Sequence, residues 1–253
     1  MALVEVHEFG EKESPVILLL HALGMHWSMW QKVVDGLKND YHILVPSLEG
    51  HEDENRTVFT TVAHNAKSVS GWLCKNGYKN IYAIIGVSLG GAVTIKLLSM
   101  ETLHIQYAII DAGIVPMGFN RLQEFKEISS NLILWAAAHS LKLIKLTGAF
   151  EQYGKDQMEK FNSMVKSMQW KSVINAFYAV DTYTLPNDLS DVQTKIAYWY
   201  GSLEEKERKA ASERLKQSFP NITVSCFDGY NHAQMCLGSP DIYLTKIKKF
   251  IEK

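Results

Sequence analysis

The stretch Ile81-Tyr82-Ala83-Ile84-Ile85-Gly86-Val87-Ser88-Leu89-Gly90-Gly91-Ala92 decides how the chain is read. Its first half is a short apolar run rich in β-branched residues, the pattern of a buried strand, and the residues from Ala92 to Met100 read as a helix. The turn between them carries glycine on both sides of a serine. A strand that turns at once into a helix is tight and close-packed there, so side chains at Gly86 and Gly90 would collide while the Ser88 hydroxyl is pushed outward. The pattern Gly-x-Ser-x-Gly alone arises by chance in roughly one chain of this length in twenty, so the strand-turn-helix context carries the inference.

Further apolar runs recur on both sides of this turn: Val16 to Leu20, His42 to Pro46, Gln106 to Asp111, Lys195 to Gly201 and Ile222 to Asp228. Helical spacing lies between several of them. Val58, Val62, Ala66, Val69 and Leu73 form one stripe that Gly77 can end. Ser28 to Leu37 reads as another helix, with Trp30 as its buried anchor or as a pocket residue beside His26 and Trp27. Ser239 can cap a last helix that has Pro240 in its first turn and Tyr243, Ile247, Phe250 and Ile251 on one face. Strands alternating with helices imply right-handed crossovers, hence an α/β fold with a mainly parallel central sheet and helices on both faces.

From 112 to 191 the alternation stops and only helical patterns rich in Met and aromatic residues remain. Residues 1–111 and 192–253 therefore read as an α/β core with a helical cap, 112–191, inserted in it. Met158, Phe161, Val165 and Met168 recur at helical spacing, as do Leu132, Trp135, Ala136, His139 and Leu143. Such stripes usually pack on one another, though some of these soft and aromatic side chains are expected to line an apolar pocket.

Bulk properties narrow the function. Twenty-six basic against 27 acidic residues leave a net charge of -1, so no overall positive field favours nucleic acid. Met1 to Glu13 lacks a signal-peptide core, and Leu132 to Leu146 is interrupted by charge and too short to span a bilayer. Cys74, Cys226 and Cys236 form neither a disulfide framework nor a zinc pattern. The expectation is a cytoplasmic protein with no membrane insertion. Gly50-His51-Glu52-Asp53-Glu54 sets three carboxylates side by side without calcium or zinc spacing, and reads as a polar loop.

A serine hydroxyl is a weak nucleophile at neutral pH and needs a base, oriented in turn by a third group. Of the nine histidines, His232 is favoured because Gly229-Tyr230-Asn231-His232 follows the last strand-like run, at the sheet edge where Ser88 emerges. His7, His42, His64, His104 and His139 read as structural. Two carboxylates between Ser88 and His232 compete for the third place: Glu204, just past the run ending at Gly201, and Asp111, at the end of an earlier strand. Glu205 is a further candidate. The run Glu204 to Arg208 also reads as the solvated first turn of a helix.

Taken together, these motifs, with His21-Ala22-Leu23-Gly24 after the first long strand, Gly50-His51 after Pro46 and Asn231-His232 before the last helix, resemble the α/β-hydrolase family over nearly the whole chain, in its compact capped esterase-like group. The resemblance implies an oxyanion hole made by the backbone N-H groups of Leu23 and Leu89, and it places the acid at Glu204, with Asp111 as the position some members use instead. Where the family usually has glycine, this chain has Ala22, which puts the path of the loop carrying Leu23 in question. His21 is read as bracing that loop. The implied activity is cleavage of an ester, lactone or thioester of a small, partly apolar substrate, with no organic cofactor and no metal. Carbon-carbon bond hydrolysis, acyl transfer by the same residues, or a ligand receptor without turnover are the rival readings.

Overall fold

In a computed structural model the described residues are 5–51, 57–117, 126, 129, 132, 133, 135–186 and 189–252. Seven strands form one sheet: β1 (Val6–Phe9), β2 (Val16–Leu20), β3 (His42–Pro46), β4 (Asn80–Val87), β5 (His104–Asp111), β6 (Lys195–Gly201) and β7 (Thr223–Phe227). Their order is β1-β3-β2-β4-β5-β6-β7. Only β1 is antiparallel to its neighbour; the remaining pairs are parallel. The α/β reading with a mainly parallel sheet therefore holds. The structure adds β1, a half-buried edge strand of four residues whose sequence Val-His-Glu-Phe is too short and polar to stand out.

The helices are α1 (Gln31–Leu37), α2 (Val62–Lys75), α3 (Leu89–Leu98), α4 (Leu141–Leu146), α5 (Ala149–Tyr153), α6 (Lys155–Ser167), α7 (Trp170–Thr182), α8 (Glu205–Ser218), α9 (Gln234–Gly238) and α10 (Pro240–Ile251). Side chains alternate across a strand, so β2 sends Leu18 and Leu20 into one core and Ile17 and Leu19 into the other. The first core is covered by α2, α3 and α8 through Val62, Ala66, Val93, Ala211 and Leu215. The second is covered by α1 and α10 through Val33, Leu37, Tyr243 and Ile247. With both faces covered, a parallel strand reads as an unbroken apolar run, as β2 does. Truncating Leu19, fully buried, to alanine would cost about 2 to 5 kcal/mol in lost transfer energy and cavity.

Helix ends follow local chemistry. The Thr61 side chain caps α2 by accepting from His64 N at 3.0 Å, and Gly77, at φ +86°, ends it in the left-handed conformation that glycine tolerates. At α10 the expected start is found, with Pro240 in the first turn, but Ser239 makes no side-chain cap bond.

Among the described residues between β5 and β6 there is no strand; the regular structure there is helical, comprising α4 to α7, a helical turn at 135–138 and the helical positions 126, 129, 132 and 133. Trp135, Met158, Val165, Met168 and Val173 pack there into a third core. The stripe expected from Leu132 to Leu143 is not continuous. A turn at His139 and a new cap at Ser140, whose side chain accepts from Leu143 N, separate α4 from the preceding helical turn, so Leu143 and Ala136 face outward.

Strand order positions the site. From β2 the chain steps to β3 on one side and later to β4 on the other, so the order reverses between β2 and β4, and the loops leaving their carboxyl ends diverge around a crevice. Leu20 pairs with Gly86, Val87 with Asp111 and Gly201 with Phe227, which brings the loops after β2, β4, β6 and β7 to one edge.

Candidate active site

Ser88 sits between β4 and α3 at φ +54°, ψ -111°, a conformation that L-residues rarely adopt and that the surrounding packing must hold. The glycines make that packing possible. A Cβ on Gly86 would strike the Gly90 carbonyl and Thr94 Oγ1; one on Gly90 would strike the Leu20 carbonyl. Ser88 N donates to the Asp111 carbonyl at 2.9 Å, which ties the turn to the end of β5. Leu89 opens α3, so its N-H has no carbonyl partner within the helix.

The Ser88 hydroxyl lies 2.9 Å from Nε2 of His232, and the other ring nitrogen, Nδ1, lies 2.9 Å from Oε2 of Glu204. The structure thus brings together three of the residues singled out from the sequence. The loop carrying His232 is fastened at several points: Asn231 Oδ1 accepts from His232 N at 2.8 Å, and Leu203 N donates to the Tyr230 carbonyl at 3.0 Å. Gly201 lets β6 approach so closely that a Cβ there would collide with Tyr230 backbone. Tyr153, at the end of α5, donates its hydroxyl to the His232 carbonyl at 3.0 Å.

Electrostatics separate the two candidate carboxylates. Burial pushes the Glu204 carboxyl up, but the hydrogen bond and charge of His232, together with Arg208, pull it down to about 2. It is ionised at neutral pH, so Nδ1 carries the proton facing it and Nε2 is left free to accept from Ser88. The Asp111 side chain is buried beside Tyr243, where burial raises its carboxyl to about 7 against the lowering effect of the Tyr243 hydroxyl. The His232 ring nitrogens bond Ser88 and Glu204, not Asp111; Nη2 of Arg208 stands beside Nδ1 but, as a donor facing a donor, makes no bond to it. Glu205 is exposed.

Two histidines brace the loop after β2. Nε2 of His21 accepts from Leu48 N at 3.0 Å while Nδ1 donates to the Ala22 carbonyl at 3.0 Å. Nε2 of His51 accepts from Gly24 N at 3.0 Å while Nδ1 donates to the Glu49 carbonyl at 3.1 Å. Burial, reinforced by the neighbouring ring, holds His21 well below its ordinary pKa, and burial lowers His51 to about 4. Both are neutral, as these partners require. The sequence marks Gly50-His51 as a motif but assigns His51 no role; Glu52 to Glu54 of the polar run that begins at Gly50 lie outside the described residues.

Ala22 fits without strain: its backbone is not among the positive-φ positions and its methyl group is buried in the second core. Gly24, at φ +72°, supplies the left-handed residue the turn needs. A Cβ on Gly24 would come within 2.8 Å of both Phe161 and Trp135, so two rings from the β5–β6 segment lie over this loop. Trp30 is buried against Tyr243, and Trp27 stacks on His7 at 4.8 Å. His42 pairs with Tyr78 and Glu8, His64 with Glu49, and His139 stacks on Trp170. A cavity of about 680 Å³ lined by Val16, Ile81, Ile105 and Thr194 opens at the opposite end of the strands, away from Ser88.

A family model described as the alpha/beta hydrolase family matches residues 17–241. The chain belongs to that family. An α/β hydrolase family protein from Desulfitobacterium hafniense superposes with TM-score 0.80 at 20% identity, over 97% of this chain and 99% of that one. An esterase from Thermogutta terrifontis superposes with TM-score 0.76 at 14% identity, over 98% of this hydrolase-family chain and 93% of the esterase. At these identities the likeness is one of fold. Among curated proteins, the magnesium-chelatase 30 kDa subunit of Rhodobacter capsulatus is 33% identical over 93 residues, 36% of this chain, and the match spans 33% of that subunit's length. No described helix of this family member is long and apolar enough to cross a membrane.

Proposed function

We propose that this protein is a serine hydrolase that cleaves a carboxylic ester, lactone or thioester of a small, partly apolar substrate through an acyl-enzyme. The observation that carries the reading is the unbroken series of contacts from Ser88 Oγ to His232 Nε2 and from His232 Nδ1 to Glu204 Oε2, each 2.9 Å. In the first half-reaction Nε2 takes the Ser88 proton as Oγ attacks the carbonyl carbon. The ionised Glu204 stabilises the imidazolium so formed and holds its ring orientation. The substrate oxygen becomes negative and is held by the N-H groups of Leu23 and Leu89, each worth about 3 kcal/mol of barrier by analogy with measured cases. The imidazolium then protonates the leaving oxygen or sulfur as its bond to the acyl carbon breaks. Water repeats the cycle: Nε2 takes its proton, its oxygen attacks the acyl carbon, and Ser88 leaves with the proton restored.

Trp135 and Phe161, lying over the Gly24 turn, support an apolar wall next to the reacting carbonyl, with the 112–191 segment acting as a cap. The test is labelling by a fluorophosphonate probe, located by mass spectrometry, together with turnover of short p-nitrophenyl esters. Rapid modification of Ser88, with both labelling and turnover lost in Ser88→Ala, is the expected result. Wild-type turnover in Ser88→Ala would end the proposal, and a wild-type Ser88 that resists the probe would favour the receptor reading.

A further inference from the structure

Arg208 closes the charge run that reads as a solvated helix turn, yet its side chain is bonded into the site. It lies four residues beyond Glu204, the residue that immediately precedes α8, a spacing that brings the two side chains together at the start of the helix. While Glu205, Lys206 and Glu207 are exposed, the Arg208 side chain is only 15% exposed and that of Glu204 8%. Arg208 Nε donates to Glu204 Oε2 at 2.7 Å, the same oxygen that faces His232 Nδ1. Nη2 of the guanidinium stands 3.2 Å from His232 Nδ1 itself. Glu204 Oε1, by contrast, is buried without a hydrogen-bond partner, so the carboxylate is held through one oxygen by two donors.

From this geometry we infer that Arg208 is a positioning residue: it pins the Glu204 carboxylate against His232, and its charge opposes a second proton on the imidazole. The inference rests on the hydrolase reading for its consequence in turnover, but not for its electrostatics. A glutamate has one more rotatable bond than an aspartate, so its carboxylate needs more restraint to stay aligned. The Nε bond supplies it. The guanidinium also sets the charge balance. Without it His232 would face a bare anion and bind its second proton more readily; with it the ring faces an ion pair. The other groups around this pair are the Tyr198 hydroxyl from β6 and Asp111 from β5, which act on the guanidinium, Tyr153 from α5 at the His232 carbonyl, and Ser88 at Nε2. Burial works against the Arg208 charge, but Tyr198 and Glu204 hold it in the protonated form.

The test compares Arg208→Gln and Arg208→Lys with wild type by NMR titration of the His232 ring in the free protein and by the pH profile of kcat/KM on a p-nitrophenyl ester. In R208Q the midpoint of the ring titration and the acid limb of kcat/KM both move to higher pH, by about one unit for the loss of one adjacent charge. Loss of alignment lowers kcat about tenfold, on the order of 1.4 kcal/mol, with KM within about twofold. R208K, which keeps the charge without the planar fork, restores the acid limb but only part of kcat. If R208Q does not fold, Arg208→Met, which keeps the packed aliphatic stem, carries the same expectation. A ring titration unchanged in R208Q, or shifted equally in R208K, overturns the inference. The titration needs no turnover, so failure of Ser88 to take a fluorophosphonate label removes the hydrolase reading alone.

Discussion

The N-H of Gly24 donates to Nε2 of His51 across 27 residues at 3.0 Å, so the loop after β2 is held in place by a neutral, fully buried imidazole. This arrangement makes stability depend on pH. His51 binds a proton near pH 6.5 when exposed in the unfolded chain, but only near 4 in the fold. Between those values the unfolded chain holds more protons, so stability falls as pH drops from about 6.5 to about 4. The His51 contribution to that loss is up to about 3 kcal/mol, and His21, lowered in the same direction, adds to it. Urea midpoints at pH 7 and pH 5 measure the effect. His51→Gln should be less stable than wild type at pH 7 and lose less on acidification; an equal loss in both proteins would show that His51 is not the titrating group.

Asp111 has the opposite linkage. Burial above all raises its carboxyl to about 7, against about 3.8 unfolded. The folded chain then keeps a proton that the unfolded chain gives up, so stability falls as pH rises from about 4 to 7 and stays lower above that. Asp111→Asn removes the penalty without changing shape and should raise stability at pH 8 by roughly 2 to 4 kcal/mol, while kcat stays within a few-fold of wild type. Glu204→Gln should lower kcat about a thousandfold or more, because the ring loses the anion that orients it and supports its charge. Loss of activity in D111N with retention in E204Q would exchange the two assignments.

The turn around Ser88 permits a sharp comparison between two glycines. A Cβ on Gly90 would meet the backbone of Leu20 and His21, whereas one on Gly36 meets only the end of the Leu244 side chain. Backbone cannot move aside as a side chain can. Gly90→Ala should therefore destabilise by about 3 kcal/mol or more or abolish folding. Gly36→Ala, within α1, should cost about 1 kcal/mol at most, since helix propensity offsets the repacking. Urea denaturation of the two variants checks this, and equal midpoints would mean that α3 can shift away from β2.

The same residues differ in how plainly the sequence announces them. Ser88 and His232 are legible because each is marked by local chain geometry: glycines that the tight turn demands, and a loop that follows the last strand. Glu204 and Asp111 compete in the sequence because both end strands at the same sheet edge, and only side-chain burial and direction separate them. Arg208 hides in a charge run whose other members, Glu205 to Glu207, are the solvated face expected of it; the i,i+4 spacing to Glu204 is the available signal. His51 is marked as part of the Gly50-His51 motif, but its bracing role is not legible there, since its partner Gly24 is brought to it by tertiary packing. β1 escapes notice because a half-exposed edge strand needs no apolar run.

The last prediction concerns the contact between the β5–β6 segment and the His232 loop. Tyr153 reaches from α5 to the His232 carbonyl at 3.0 Å, and α5 sits so close to α9 that a Cβ on Gly238 would strike the Gln152 carbonyl. Tyr153→Phe keeps the ring and removes the hydrogen bond, at a cost of about 1 kcal/mol. Because that bond ends on the residue that must accept the Ser88 proton, the loss should fall on the loop before the global fold. Amide exchange across 231–234 should quicken about three- to tenfold while the urea midpoint moves little. On p-nitrophenyl esters kcat should fall by a similar factor, with KM nearly constant, because misalignment of His232 weakens the transition state and not the resting complex. If exchange at 231–234 is unchanged while KM rises, Tyr153 acts on substrate binding and not through the histidine.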